Sequence, residues 1–252
     1  MTAATDVSPY WEIVPAVVGG ILGAFAGGLP AWLIAKRQSD ESLRRESERT
    51  IEHEKALAFQ VCSKLMTITN GTIILYNHIR RCRDLNRRAE NEGMQPWQTL
   101  IPMVGFTDEG NIRFEADEMA VFAKASERQF MMDAMLLAQR HSSTLASFKI
   151  YCDRREDFLE TAAPNPVQFN GEVGSTIVSH QEMMLMMPKM IPLNNLVNGL
   201  NDGMEHDLRL ARSVSVDFGK ITKRYFADPK FIGLAFPSDD ELAQLRAAAS
   251  TN

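Results

Sequence analysis

Arginine is concentrated between residues 80 and 88 of this 252-residue chain. The cluster consists of Arg80, Arg81, Arg83, Arg87 and Arg88. A second basic stretch, which contains Lys223 and Arg224, is interleaved with aromatic residues. Such groups together would bind an acidic protein partner, or a phosphate backbone if the chain were basic overall. The net charge of −5 does not favour nucleic acid. A solvated helix end, where the helix dipole favours cations, explains the same residues in a simpler way.

Methionine forms a second dense cluster, which consists of Met183, Met184, Met186, Met187 and Met190. Flexible thioethers fill irregular gaps in protein interiors, and we expect this cluster to be core. Two alternatives stay open: a groove that accepts a partner, and a Cu(I) site, because thioethers are soft ligands. No histidine or cysteine stands beside the cluster apart from His180. We therefore predict no metal and no cofactor.

The remaining polar residues do not form the motif of a known enzyme class. His141 lies on a predicted apolar stripe and is expected to be an interior histidine. Glu205, His206 and Asp207 are consecutive, so on a helix they point in different directions and form no relay. Phosphate-binding loops, nucleophile elbows and dinucleotide fingerprints are absent from the sequence. We predict that the chain is not an enzyme, with a site assembled from scattered residues as the alternative.

The cysteines Cys62, Cys82 and Cys152 are an odd number and contain no Cys-x-x-Cys pair. This pattern indicates neither a disulfide framework nor a zinc site, and it fits a reducing compartment. We interpret the three as small buried apolar side chains.

Residues 13–35 form one uncharged apolar run. At about 1.5 Å per residue, a helix of this length spans roughly 35 Å, enough to cross a hydrocarbon core of about 30 Å. Lys36 and Arg37 follow the run directly, whereas residues 1–12 contain neither lysine nor arginine. Flanking basic residues stay in the cytoplasm. We predict a single-pass protein of the plasma (inner) membrane, with residues 1–12 outside and the C-terminal domain inside.

Gly19, Gly23 and Gly27 repeat every four residues within this run and share one helix face. Small residues at this spacing let a second helix approach closely in lipid. The repeat predicts self-association of the anchor, or docking on another membrane helix.

After the anchor we predict a polar juxtamembrane stalk (36–56), a helical bundle (57–236), and a short C-terminal helix with a tail (237–252). Apolar residues with heptad spacing run from position 57 to position 82, which indicates a long packed helix. Turn residues around Asp108 and Gly110 predict a small β-hairpin near 103–114. A second long helix is expected over 115–161, a loop over 164–174, and a third helical region over 175–226. Pro188, Pro192 and Gly199 are expected to break or bend that third region.

These elements predict an all-α fold, an up-down-up bundle of three to four helices. In that order, residues 80–112 and 220–231 meet at the end of the bundle far from the membrane, and the two basic stretches form one patch. We predict a membrane-anchored adaptor or scaffold that acts through protein–protein contact or self-association. Two alternatives belong to other classes: an oligomeric pore or membrane-perturbing effector, and a membrane-tethered enzyme.

Overall fold

The computed structural model describes residues 10–86, 94–103, 112–162, 167–170, 173–176 and 179–238, with residues 240, 241 and 244. Side chains are described from position 30 onward, except at 85, 86 and 162 and in the two strands. The helices are α1 (Tyr10–Asn86), α2 (Pro96–Thr99), α3 (Ala116–Lys124), α4 (Arg128–Ala162) and α5 (His180–Tyr225), and the strands are β1 (Val167–Asn170) and β2 (Val173–Thr176). The predicted all-α class is confirmed.

The chain divides into two compact units, residues 1–54 and 55–252, and the boundary falls within α1. In the first unit, all described side chains from position 30 to position 53 are exposed. Arg44 pairs with Glu48 at 2.8 Å, and Arg45 pairs with Glu41 at 2.7 Å, each pair one helical turn apart. Ion pairs one helical turn apart stabilise a solvated helix only weakly.

The predicted membrane span, residues 13–35, falls on backbone that is helical in α1. The side chains of residues 10–29, which include Gly19, Gly23 and Gly27, lie outside the described part. Within the part of the chain that is described, no helix combines the length and the apolar character needed to cross a bilayer.

The second unit is a bundle in which α1 and α4 run parallel and α5 runs antiparallel to both. Moving along α1, Thr72 Oγ1 lies 3.2 Å from His141 Nδ1, and the His78 ring then contacts the Phe148 ring of α4. Phe59 of α1 contacts Phe231, which lies in the segment after α5, and their ring centroids are 5.9 Å apart. The C-terminal end of α5 therefore lies near position 59 of α1, the end that we call the beginning of the bundle, and α5 is antiparallel to α1. The predicted up-down-up order is therefore wrong, because the second long helix runs in the direction of the first.

The described residues between α1 and α3, which are 94–103 and 112–115, explain this parallel arrangement, and we call them the return segment. Tyr151 donates its hydroxyl to the carbonyls of Trp97 and Leu100, which holds α2 beside the far half of α4. Further along, Lys64 donates to the Arg113 carbonyl at 2.7 Å and pairs with Glu118 at 2.7 Å. The chain has thus returned to the beginning of the bundle before α3 starts.

The predicted helix over 115–161 is two helices, because the chain turns at Ser126. This residue has a φ of 63°, the left-handed conformation that ends helices. The amide of Glu127 donates to the Phe122 carbonyl, the six-residue bond of a Schellman motif. Helix α4 then begins at Arg128. Left-handed backbone is uncommon outside glycine and asparagine, and for that reason the sequence does not reveal this break.

Two apolar cores stabilise the bundle. The first surrounds residues 57–68 of α1, and the second surrounds residues 75–82 of the same helix. Large side chains of the first are Leu65, Phe122, Phe130 and Phe218, and those of the second are Leu75, Trp97, Phe148, Tyr151 and Leu193.

Strands are found elsewhere than predicted. Residues 104–111 of the hairpin expected at 103–114 lie outside the described residues, and the flanking described residues are not strands. Instead, β1 and β2 pair antiparallel, with Val167 opposite Thr176, in the segment predicted to be a loop.

Helix α5 is one helix although it contains Pro188 and Pro192, so the predicted break does not occur. Each proline removes one backbone donor from the interior of the helix. At the C-terminus, the Glu241 amide donates to Ser238 Oγ at 3.2 Å, and the Ser238 amide donates to Glu241 at 2.7 Å. This reciprocal pair is a capping box, a motif that begins a helix.

Candidate functional site

The two basic stretches do not form one patch. Arg80 donates to the Tyr76 hydroxyl at 2.7 Å and lies 3.9 Å from Glu205, in the middle of α5. The hydrogen bond to Tyr76 raises the pKa of Arg80. Arg224 pairs instead with Glu127, at the α3–α4 turn, and Lys223 beside it is exposed. Because α5 is antiparallel to α1, its C-terminal residues lie at the beginning of the bundle, and the predicted juxtaposition is wrong.

The other arginines of the first stretch are placed as follows. Arg81 and Arg83 are half-buried, and Arg87 and Arg88 lie outside the described residues. The Nε of Arg83 is buried and has no hydrogen-bond partner among the described residues.

A more distinctive surface lies at the start of α5. Its members are large apolar side chains that the bundle leaves in solvent: Met183 (40% exposed), Met184 (57%), Leu185 (76%), Met187 (47%) and Ile191 (56%). We call these five residues the α5 apolar surface. Met186 and Met190, in contrast, are partly buried and pack against the second core. The expectation that the whole methionine cluster is core is therefore wrong for Met183, Met184 and Met187.

A signal for this exposure is present in the sequence. Residues 183–187 are five consecutive apolar residues, and they cover every direction around a helix. A helix at the edge of a bundle buries only one stripe of its surface, so some of these side chains must remain in solvent.

A central polar layer separates the two cores. It consists of Thr69, Thr72, His141 and Ser215, which are all buried. Thr69 Oγ1 lies 3.3 Å from Ser215 Oγ, and Thr72 Oγ1 lies 3.2 Å from His141 Nδ1. Gly71 makes room for the imidazole, since a Cβ at that position would lie 2.7 Å from His141 Cε1. His141 is the interior histidine that the sequence predicts, and the layer joins α1 to α4 and α5.

A second polar contact joins α4 to α5. Asp207 is 2% exposed. Its carboxylate accepts a hydrogen bond from the Arg140 guanidinium and another from Thr144 Oγ1 at 3.0 Å. His206 beside it is exposed, and Glu205 faces Arg80. The prediction that these three neighbours point apart is confirmed. The pairing of Arg140 with Asp207 has no signal in the sequence, because it joins positions 67 residues apart.

The other candidate ligands are dispersed. His78 Nε2 donates to the Ile101 carbonyl at 2.6 Å, and burial lowers the pKa of this imidazole. Cys62 and Cys82 are buried and Cys152 is half-buried, and burial raises the pKa of Cys62. In the described ranges, no three side chains of histidine, cysteine, aspartate or glutamate are close enough to share a metal ion.

No protein-family model matches the chain, and neither the curated proteins nor the solved structures include one that resembles it at a significant level.

Proposed function

We propose that this chain is a membrane-anchored adaptor whose bundle binds a protein partner through the α5 apolar surface. The observation that carries this proposal is the exposure of that surface on a bundle that already has two apolar cores. Monomeric proteins rarely expose contiguous apolar patches larger than a few hundred Å², and larger patches commonly mark binding sites. Methionine suits such a surface because its flexible side chain adapts to the partner.

The charge of the segment supports an apolar partner. Within residues 180–192, Glu182 and Lys189 are the charged residues, and their charges cancel. Glu182 accepts a hydrogen bond from the Ser179 amide at 2.7 Å, and Lys189 donates to Thr161 at 3.3 Å. Both charges are thus engaged at the margins of the surface. A partner would contribute a complementary apolar face, such as the apolar stripe of a helix.

Membrane anchoring is the second part of the proposal. It is supported by the uncharged run of residues 13–35, by the basic residues Lys36 and Arg37, and by the small-residue repeat of Gly19, Gly23 and Gly27. In this proposal the N-terminus is outside the cell and the bundle is in the cytoplasm.

Two experiments test these parts separately. A reporter fused after Asn252 is expected to be active in the cytoplasm and to resist extraction from membranes by carbonate. Activity found only outside the cytoplasm would contradict the orientation, and release by carbonate would contradict the anchor.

Docking is tested with full-length protein extracted in mild detergent. Leu185→Gln with Ile191→Gln places two amides on the α5 apolar surface, and Asn195→Gln is the matched control at an exposed polar position of the same helix. A stoichiometric partner is expected to accompany the native and control chains and to be lost from the double variant. Retention of that partner by the double variant, with an unchanged helical content, would contradict the proposed surface.

A further inference from the structure

Four soft or borderline metal ligands share one side of the first turns of α5. His180, Met183, Met184 and Met187 occupy positions i, i+3, i+4 and i+7 of one helix. Residues at these spacings are neighbours on a helix surface, with Cβ atoms about 5–6 Å apart. All four are exposed, so their side chains are accessible to a dissolved ion. The sequence shows His180 near the methionines, but only the continuous helix from His180 onward aligns it with them.

The chemistry of this group selects a particular class of ion. Thioethers are soft ligands that favour Cu(I), and an imidazole nitrogen binds copper as well. Methionine has three rotatable side-chain bonds, so sulfur atoms one turn apart can converge on one ion. Hard cations such as Mg²⁺ and Ca²⁺ require oxygen ligands, which these four side chains do not offer.

We propose that His180, Met183, Met184 and Met187 form a surface site for one Cu(I) ion. The ion is held by thioether sulfurs and by the imidazole, which binds in its neutral form. Such a site goes beyond the adaptor function. Met183, Met184 and Met187 also belong to the α5 apolar surface, so the ion and a docked partner would compete for these three side chains.

Local features of the helix fit a bound cation. The positive end of a helix dipole disfavours a cation, but the Glu182 carboxylate lies in the first turn and offsets it.

The test uses full-length protein in mild detergent, with methionine methyl groups labelled with carbon-13. One equivalent of Cu(I) is added under argon, and Ag(I) serves as a second soft probe that resists oxidation. We expect the methyl resonances of Met183, Met184 and Met187 to shift with both ions. Competition with a chromophoric Cu(I) chelator then measures the affinity.

Conservative variants identify the donors. Met183→Leu and Met187→Leu keep an apolar side chain of similar size, and each is expected to reduce the Cu(I) affinity about tenfold or more, as is His180→Asn. Met132→Leu and Met135→Leu are the matched controls. These methionines of α4 are 65% and 47% exposed, with no histidine one turn away, and their loss is expected to leave the affinity unchanged.

Each remaining outcome decides the proposal. Cu(I) bound without a shift of the three methyl resonances would assign it to the cysteines and overturn the site, as would an affinity insensitive to both leucine variants. Leu185→Gln with Ile191→Gln keeps all four donors, so it is expected to bind Cu(I) normally even where it abolishes docking. Failure of the adaptor proposal and failure of the metal site are therefore distinguishable.

Discussion

Replacement of Gly71 by alanine tests the packing of the central polar layer. Glycine in a helix costs about 1 kcal/mol relative to alanine, so a solvent-facing glycine gains that amount when it is replaced. Gly199 of α5 is such a position, because an added Cβ meets no atom within 4 Å. At Gly71 the added Cβ would lie 2.7 Å from His141 Cε1, closer than real Cβ contacts allow.

The imidazole cannot move aside without cost. His141 is 5% exposed and contacts Thr72, so its displacement strains the layer between α1 and α4. Overpacking a buried site costs about 1–3 kcal/mol, and the disturbed hydrogen bond adds about 1 kcal/mol. After the gain in helix propensity is subtracted, we expect Gly71→Ala to lower the free energy of unfolding by about 1–3 kcal/mol. Gly199→Ala is expected to raise it by about 1 kcal/mol.

Urea unfolding of the full chain in mild detergent measures both changes. Trp97 is 6% exposed within the second core, and its fluorescence reports the unfolding of the bundle. A second variant, His141→Ala, removes the ring that the added Cβ would meet. In that background Gly71→Ala is expected to become stabilising, because the effects of the two contacting positions are coupled. The reasoning would be refuted if Gly71→Ala stabilised the native chain as Gly199→Ala does, or if the His141→Ala background left its effect unchanged.

Three further predictions concern single residues. Asp207→Ala removes the acceptor of Arg140 and Thr144 and is expected to lower the free energy of unfolding by about 1–3 kcal/mol, seen as a lower urea midpoint. An unchanged midpoint would contradict a stabilising role for the contact of Asp207 with Arg140 and Thr144. Tyr151→Phe leaves the carbonyls of Trp97 and Leu100 without their donor and is expected to cost a similar amount, about 1–3 kcal/mol. Burial also raises the pKa of Tyr151, so it is expected to ionise last in an ultraviolet titration of the tyrosines; ionisation together with the other tyrosines would argue against its burial. Burial lowers the pKa of the His78 imidazole below its ordinary value of about 6.5, so the folded state favours the neutral ring. Its contribution to stability is full above pH 6.5 and is lost as the pH falls through the lower folded pKa, so unfolding measured against pH should show a slope there that His78→Gln removes. If the pH dependence of the free energy of unfolding persisted in His78→Gln, it would belong to another titrating group.

The helical content of the bundle is predictable from local patterns. Heptad spacing from position 57 to position 82 indicates a packed helix, and buried residues such as Leu65, Ile68 and Leu75 follow that spacing. The interior position of His141 follows from the apolar stripe on which it lies. Each of these inferences requires only the sequence within one element.

The direction of the elements is not predictable in this way. It depends on the left-handed conformation of Ser126, on the return segment held by Tyr151, and on Lys64 paired with Glu118. None of these three features can be recognised from the sequence around it. The sequence alone therefore places the two basic stretches at the same end of the bundle. The exposure of Leu185 likewise depends on which side of α5 the other helices cover.

Crosslinking in intact cells tests the adaptor proposal most directly. A photo-crosslinking amino acid is placed at Leu185, which is 76% exposed, and in a second chain at Asn198, an exposed polar position of the same helix. We expect the Leu185 position to yield one abundant crosslinked protein at the membrane, and the Asn198 position to yield none. Equal crosslinking from both positions, or crosslinks from Leu185 to a second copy of this chain alone, would contradict the proposal that the α5 apolar surface binds a separate protein.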